Sequence, residues 1–269
     1  MALFSSVDSP DDPRVAPYRD IKERDLVGRE GRFIAEGEVV LAVLARASRH
    51  RCLSVLIDGR RLDKLRPILA DLAEETPVYV AGQEVVDAIA GFHLHRGILA
   101  LGETATDLTP EALLARAPER AVVLSLHGLS NHDNLGGLFR NAAAFGAHAV
   151  LLDPTCADPL YRKAIRVSVG AALRVPFARW REGEDVTAAL ERHGFQPLAL
   201  SPSGDRTLAE LPPPARTAVL LGTEGPGLPP DLLRRAATVR IPMAQGWDSL
   251  NVAVTAGIVL HHLQSALRT

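Results

Sequence analysis

The 269-residue chain carries 30 Lys and Arg against 32 Asp and Glu, a formal charge of −2, with 47% hydrophobic and 23% charged residues. That balance excludes a disordered or membrane-embedded chain and fits two globular domains with sizeable cores. The start MALFSSVDSPDDPR lacks a secretion signal, no run reaches the roughly 18 apolar residues of a membrane span, and Cys52 and Cys156 stand apart, so a cytoplasmic setting is expected, with no membrane partner, disulfide framework or metal.

Residues 1–30 are rich in Asp, Pro and Arg and poor in apolar periodicity, which predicts a flexible N-terminal arm. From Arg32 the pattern alternates. FIAEGEVVLAVLARAS reads as a helix, CLSVLID as a strand, LDKLRPILADLAE as an amphipathic helix, PVYVA as a strand, GQEVVDAIAG as a helix and GILALGE as a strand, giving a small α/β domain over 31–104. His93 and His95 fall on one side of a predicted strand, with no third metal ligand recognisable. The stretch 105–119 has weak structure signals and reads as a linker. Over 120–269 the strands AVVLSL, AVLLD, LRVPF, QPLAL, TAVLLG and TVRIP alternate with helical stretches, and the chain closes on the helix SLNVAVTAGIVLHHLQSAL. Such alternation predicts a mostly parallel sheet covered on both faces, with function in loops beyond the strand ends.

Three motifs of this second half combine polar groups with glycine. In NLGGLFRNAAAFG, Asn134 reads as a helix N-cap or as a polar site residue, and Gly136 and Arg140 are one turn apart on a helix face, so that a cationic fork projects beside a position without a side chain. In LLGTEGPGLPP, three glycines and three prolines follow a strand, offering backbone groups to a ligand without the spacing of a phosphate-binding or dinucleotide loop; Glu224 within it also suits the N-terminal end of the next helix. In RIPMAQGWDSLNVAVTAG, Ser249 reads as the N-cap of the last helix and Asn251 as a polar residue in its first turn, while VAVTAGIV suits close packing on another helix or subunit. Between the first two motifs, Pro159 to Arg181 holds Arg162, Lys163, Arg166, Arg174, Arg179 and Arg181 with no acidic residue, which is either a solvated face or a phosphate-binding surface.

In this order, NLGGLFR, LGTEGPGL and IPMAQGWDSLNVAV resemble the signature motifs of the SpoU/TrmH family of RNA 2′-O-ribose methyltransferases in the SPOUT superfamily, and RFIAEGEVVLAVL with GFHLHRGILALG resembles the ribosomal-protein-like substrate-binding domain that often precedes them. The resemblance implies a small N-terminal α/β substrate-binding domain, a C-terminal α/β domain with a deep trefoil knot at 120–269, a homodimer, and S-adenosylmethionine as methyl donor. It implies Asn134, Arg140, Glu224, Ser249 and Asn251 as catalytic-site residues and Leu221, Gly222, Ile241, Met243 and Leu250 around the donor. RNA, more readily ribosomal than transfer RNA, is the implied substrate, and Arg162, Lys163, Arg166 and Arg174 are the candidates to bind it. Gln245 departs from the glycine many members carry there. A non-catalytic RNA-binding and dimerisation module of the same fold is the alternative.

Overall fold

The computed structural model describes residues 3–19, 21, 30–211, 215–223, 225–247 and 249–267. It divides into two compact units, Met1–Thr106 with Asp158–Arg174, and Asp107–Ala157 with Val175–Thr269. The basic segment expected inside the C-terminal domain is therefore split: its part up to Arg174 groups with the first unit, and Arg179 and Arg181 belong to the second.

In the first unit, β1 (Leu3–Ser6), β2 (Arg32–Glu36), β3 (Arg51–Asp58), β4 (Pro77–Ala81) and β5 (Ile98–Glu103) form a sheet in the order β1-β4-β3-β5-β2. Strands β1, β4 and β3 run parallel, and β5 pairs antiparallel with both β3 and β2. Helices α1 (Glu38–Arg46), α2 (Leu62–Leu69) and α3 (Gln83–Ala90) connect them. Two expectations are corrected. FIAE is a strand, because the chain turns at Gly37 with φ +99°, a conformation closed to side chains that would continue a helix, and α1 starts only beyond it. Residues 3–18, expected in a loose arm, add the edge strand β1 and a 3-10 turn at Pro13–Tyr18. Val7, Val15, Tyr18 and Ile21 bury themselves with Ile34, Leu56, Val86 and Leu99, and the Tyr18 hydroxyl pairs with Ser54 Oγ at 2.6 Å. The apolar gain comes from residues too widely spaced to register as periodic.

The second unit holds β6 (Ala121–Leu126), β7 (Ala149–Leu152), β8 (Phe177–Arg179), β9 (Gln196–Leu200), β10 (Arg206–Thr207), β11 (Arg216–Leu221) and β12 (Ala237–Arg240). Their order is β10-β12-β9-β11-β6-β7-β8, and every pairing is parallel. The continuous apolar runs are explained by burial on both faces, as in β6 and β7, where every residue is buried. Strand β11 lies between β6 and β9, and β12 between β9 and β10, so later strands enter between earlier ones.

Helices α4 (Pro110–Ala115), α5 (His132–Ala144), α8 (Val186–Arg192), α9 (Pro230–Arg235) and α10 (Val252–Leu267) belong to this unit, while α6 (Arg162–Val167) and α7 (Ala171–Arg174) lie in the first. The expected linker contains α4, whose Leu113 and Leu114 are buried against Val123, Leu151 and Leu190. The strand expected at LRVPF is displaced to Phe177–Arg179, its first residues completing α7. No helix among the described residues is long and apolar enough to cross a membrane.

Candidate active site

The C-terminal ends of β9, β11 and β12 open onto a cavity of about 450 Å³, within the usual range for small-molecule sites. Leu200, Ser201 and Pro202 line it after β9, Leu221 to Thr223 with Gly225 and Gly227 after β11, Ile241 and Met243 after β12, and Ser249 to Val252 with Thr255 at the start of α10. Parallel sheets place ligands at such strand ends, where loops diverge and backbone groups are unpaired.

The loop after β11 folds back on itself. Gly227 N donates to Thr223 O at 3.0 Å, and a Cβ placed on Gly222 would stand 2.2 Å from the Gly227 carbonyl carbon, so no side chain fits there. On its other flank, Leu221 O accepts from His127 N at 2.9 Å, extending the β6–β11 ladder by one bond. Leu221, Gly222, Ile241, Met243 and Leu250, which the motifs suggested as one group, all line this one cavity. Glu224 lies outside the described residues.

A second junction joins the first and third motifs. Asn131, not Asn134, is the N-cap of α5, its Oδ1 accepting from Asp133 N and Asn134 N. Asn134 sits in the first turn, buried, and its Oδ1 accepts from Asn251 Nδ2 at 2.8 Å. Asn251 in turn caps α10: its Oδ1 accepts from Ala253 N at 2.9 Å and its carbonyl receives Thr255 N. The expected N-cap, Ser249, lies two residues ahead of that cap, on the cavity wall. Because one amide side chain serves as cap and as donor to Asn134, truncating it unties both helix starts.

Below this junction α5 and α10 pack closely. A Cβ on Gly137 would lie 2.8 Å from Ala253 Cβ, and Asn141 Nδ2 donates to Ala253 O at 2.5 Å, a contact that neither motif spacing nor periodicity marked. Gly136 is buried in α5 and is not an open surface beside Arg140, as the spacing suggested. Arg140 itself is exposed and has no ion-pair partner among the described residues. Groups of three or more metal-binding side chains are likewise absent among the described residues. His93 and His95 sit in the loop after α3, not on a strand, with His93 Nδ1 2.6 Å from Asp87.

The basic segment is divided in its use. Arg162 on α6 is half-buried, reaches Glu36 at 2.6 Å and stacks over Phe92 at 5.2 Å, so its charge is spent inside the first unit. Arg179 donates to the carbonyls of Asp153 and Cys156, both at 2.8 Å, and serves a loop of the second unit. Lys163, Arg166 and Arg174 are exposed.

A family model described as the SpoU rRNA Methylase family matches residues 121–261. The chain is 40% identical over 263 residues to a tRNA/rRNA methyltransferase of Mycobacterium bovis, covering 94% of this chain and 88% of the relative. It is 28% identical to one of Synechocystis, covering 96% and 93%. Among solved structures, an RNA 2′-O ribose methyltransferase superposes with a TM-score of 0.78 at 25% identity, covering 98% of this chain and 100% of the other. An AdoMet-bound rRNA methyltransferase of Sinorhizobium meliloti gives 0.81 at 23% identity, covering 98% of each chain.

Proposed function

Because the chain belongs to the SpoU rRNA methylase family and is an RNA methyltransferase of that family, we propose that it transfers a methyl group from S-adenosylmethionine to a ribose 2′-hydroxyl of structured RNA. The observation that carries this reading is the meeting of the three motifs: the cavity and the Asn134–Asn251 junction share Asn251, so a donor site and a polar, exposed rim occupy one place. The ribose specificity is supported further by the likeness to a solved 2′-O ribose methyltransferase.

The cavity suits the donor. Backbone groups of Gly222, Ile241 and Leu250 border it, with the apolar side chains of Leu221, Val239 and Met243, a combination that holds a purine nucleoside by shape and backbone bonds. When bound, S-adenosylmethionine supplies a methyl group already activated by its sulfonium. The protein must then align the ribose oxygen with the methyl carbon; the oxygen–carbon bond forms as the carbon–sulfur bond breaks, and the hydroxyl proton leaves to solvent. Arg140 anchors the phosphate and the 2′-oxygen and stabilises the developing alkoxide; a guanidinium is always protonated, which makes this electrostatic role easier than that of a base. Asn134 and Glu224 orient the nucleotide, and Ser249 with Asn251 shapes the rim.

RNA would meet Lys163, Arg166 and Arg174, with Arg162 serving as an internal tie, and the 2′-hydroxyl itself would exclude DNA. Ribosomal RNA is the favoured substrate on the two-domain arrangement. The threading of β11 and β12 between earlier strands supports a trefoil knot in the second unit. Val254 and Ile258, 52% and 39% exposed one turn apart on α10, with the exposed Leu250 and Trp247 ahead of that helix, offer apolar surface that a second copy would cover, forming a homodimer. The cytoplasm, where RNA is made and modified, is the proposed compartment. Ribose-methylation mapping of total RNA from cells with and without the protein tests the reading: one protein-dependent 2′-O-methyl site is expected, and RNA binding with neither donor binding nor any such site would support the non-catalytic module instead.

A further inference from the structure

The proposed reaction uses the start of α5, yet no residue of the loop before it, 127–131, lines the donor cavity. That loop is held from its far side. Asp153, just after β7, accepts at Oδ2 from Gly128 N at 3.0 Å, and at Oδ1 from Thr155 N, Thr155 Oγ1 and Cys156 N, each at 2.9 Å. Asp153 N donates to Leu126 O at 2.9 Å, Ala157 N to Leu129 O at 2.8 Å, and Leu129 N to Cys156 Sγ at 3.4 Å. Arg179 clamps the turn through the Asp153 and Cys156 carbonyls. Loop 127–131 is thus pinned between the Asp153 turn and Leu221 at the cavity, and it ends at Asn131, the cap of α5.

We infer that Asp153 is a positioning residue for methyl transfer: its carboxylate fixes loop 127–131 and thereby the register of Asn134 and Arg140 against Asn251. The inference rests on the functional reading above and assigns a part to a residue outside all three motifs. Burial alone would raise this carboxyl, but hydrogen bonds from Cys156, Thr155 and Gly128 outweigh it and hold the group below the usual carboxylate range, ionised wherever the enzyme works. An ionised acceptor binds N–H donors about twice as strongly as a neutral one, so an amide in its place would loosen the loop without emptying the site. Misplacement of a reacting group by about 1 Å costs up to about 100-fold in rate, whereas a cavity the loop does not line should keep its affinity.

The test compares Asp153→Ala and Asp153→Asn in the full chain, measuring methyl transfer to RNA at saturating substrates, S-adenosylmethionine affinity by calorimetry, and thermal stability. Asp153→Ala should lower kcat by about tenfold or more while donor Kd stays within about twofold. Asp153→Asn, which keeps one acceptor oxygen for Thr155 and Cys156, should lose less, and it decides the matter if the alanine variant does not fold. Unchanged kcat in both variants, or donor affinity falling in step with kcat, would overturn the inference while leaving the activity in place. A wild-type chain that binds donor and transfers nothing would instead overturn the functional reading, and the inference with it.

Discussion

The cavity beyond β9, β11 and β12 is built from backbone and from small or apolar side chains, whereas the segment Asp158–Arg174 meets its surroundings through long cationic ones. The two kinds of surface respond differently to their context. A backbone site is shaped by strand order and by loops such as Gly222–Gly227, so that the whole constellation stands or falls with the fold. Cations act singly: Arg162 is consumed by a carboxylate of its own unit, while Arg166 and Arg174 stay exposed. A run of charge therefore specifies how many cations are present, not how many are available.

Gly222→Ala attacks the backbone side of this contrast most directly. With no room for a Cβ, the loop must move, and donor affinity should fall on the order of 100-fold, an effect larger than any single truncation of a lining side chain. Calorimetry checks it, and an unchanged Kd would show that the loop does not border the donor. On the cationic side, Arg162→Ala strands Glu36, whose side chain is 8% exposed, and should lower stability by about 3 kcal/mol in denaturant titration. Arg166→Ala and Arg174→Ala should do the opposite: stability within about 0.5 kcal/mol, but a salt dependence of RNA binding shallower by about one unit each. If Arg162→Ala instead matched these two in both readouts, the division of the segment would be lost.

Asn251→Ala bridges the two behaviours, being a side chain that fixes backbone. Loss of the α10 cap should cost about 1 kcal/mol, with a larger fractional fall in kcat than in donor affinity. The last expected effect is of pH. Burial pushes the His127 and His50 imidazoles down to about 4, from about 6.5 when unfolded, so both stay neutral in the native chain. The unfolded chain binds more protons between those values, and stability should be full above about pH 6.5 and decline as pH falls toward 4. Melting temperatures across that window check it, and His127→Gln should flatten part of the slope.

The five cavity residues and the grouping of Asn134 with Asn251 came from the resemblance that the three motifs carry; the structure brings these residues together because each motif follows a strand end or opens a helix and parallel sheets gather those points. What the sequence did not disclose were choices between adjacent polar residues. Asn131 and Asn134, or Ser249 and Asn251, are equally good caps by type, and the selection depends on where each helix begins, which the α5–α10 packing through Gly137 and Ala253 decides. Asp153 was invisible for a related reason: apart from the Thr155 hydroxyl its donors are backbone N–H groups, which leave no pattern of residue type. The apolar residues of 3–18 were hidden by their wide spacing, those of α4 by the shortness of the helix, and the pairing of Arg162 with Glu36, 126 positions apart, by distance along the chain.

The most direct test of ribose methylation is to digest RNA modified by the protein to nucleosides and locate the added methyl group by mass spectrometry, using wild type and Arg140→Lys. A methyl group on the ribose fragment, absent when the target nucleotide is 2′-deoxy and strongly reduced in the variant, is the expected result. Methyl on the base, or near-normal turnover in Arg140→Lys, where the charge is kept and the planar fork is lost, would contradict it.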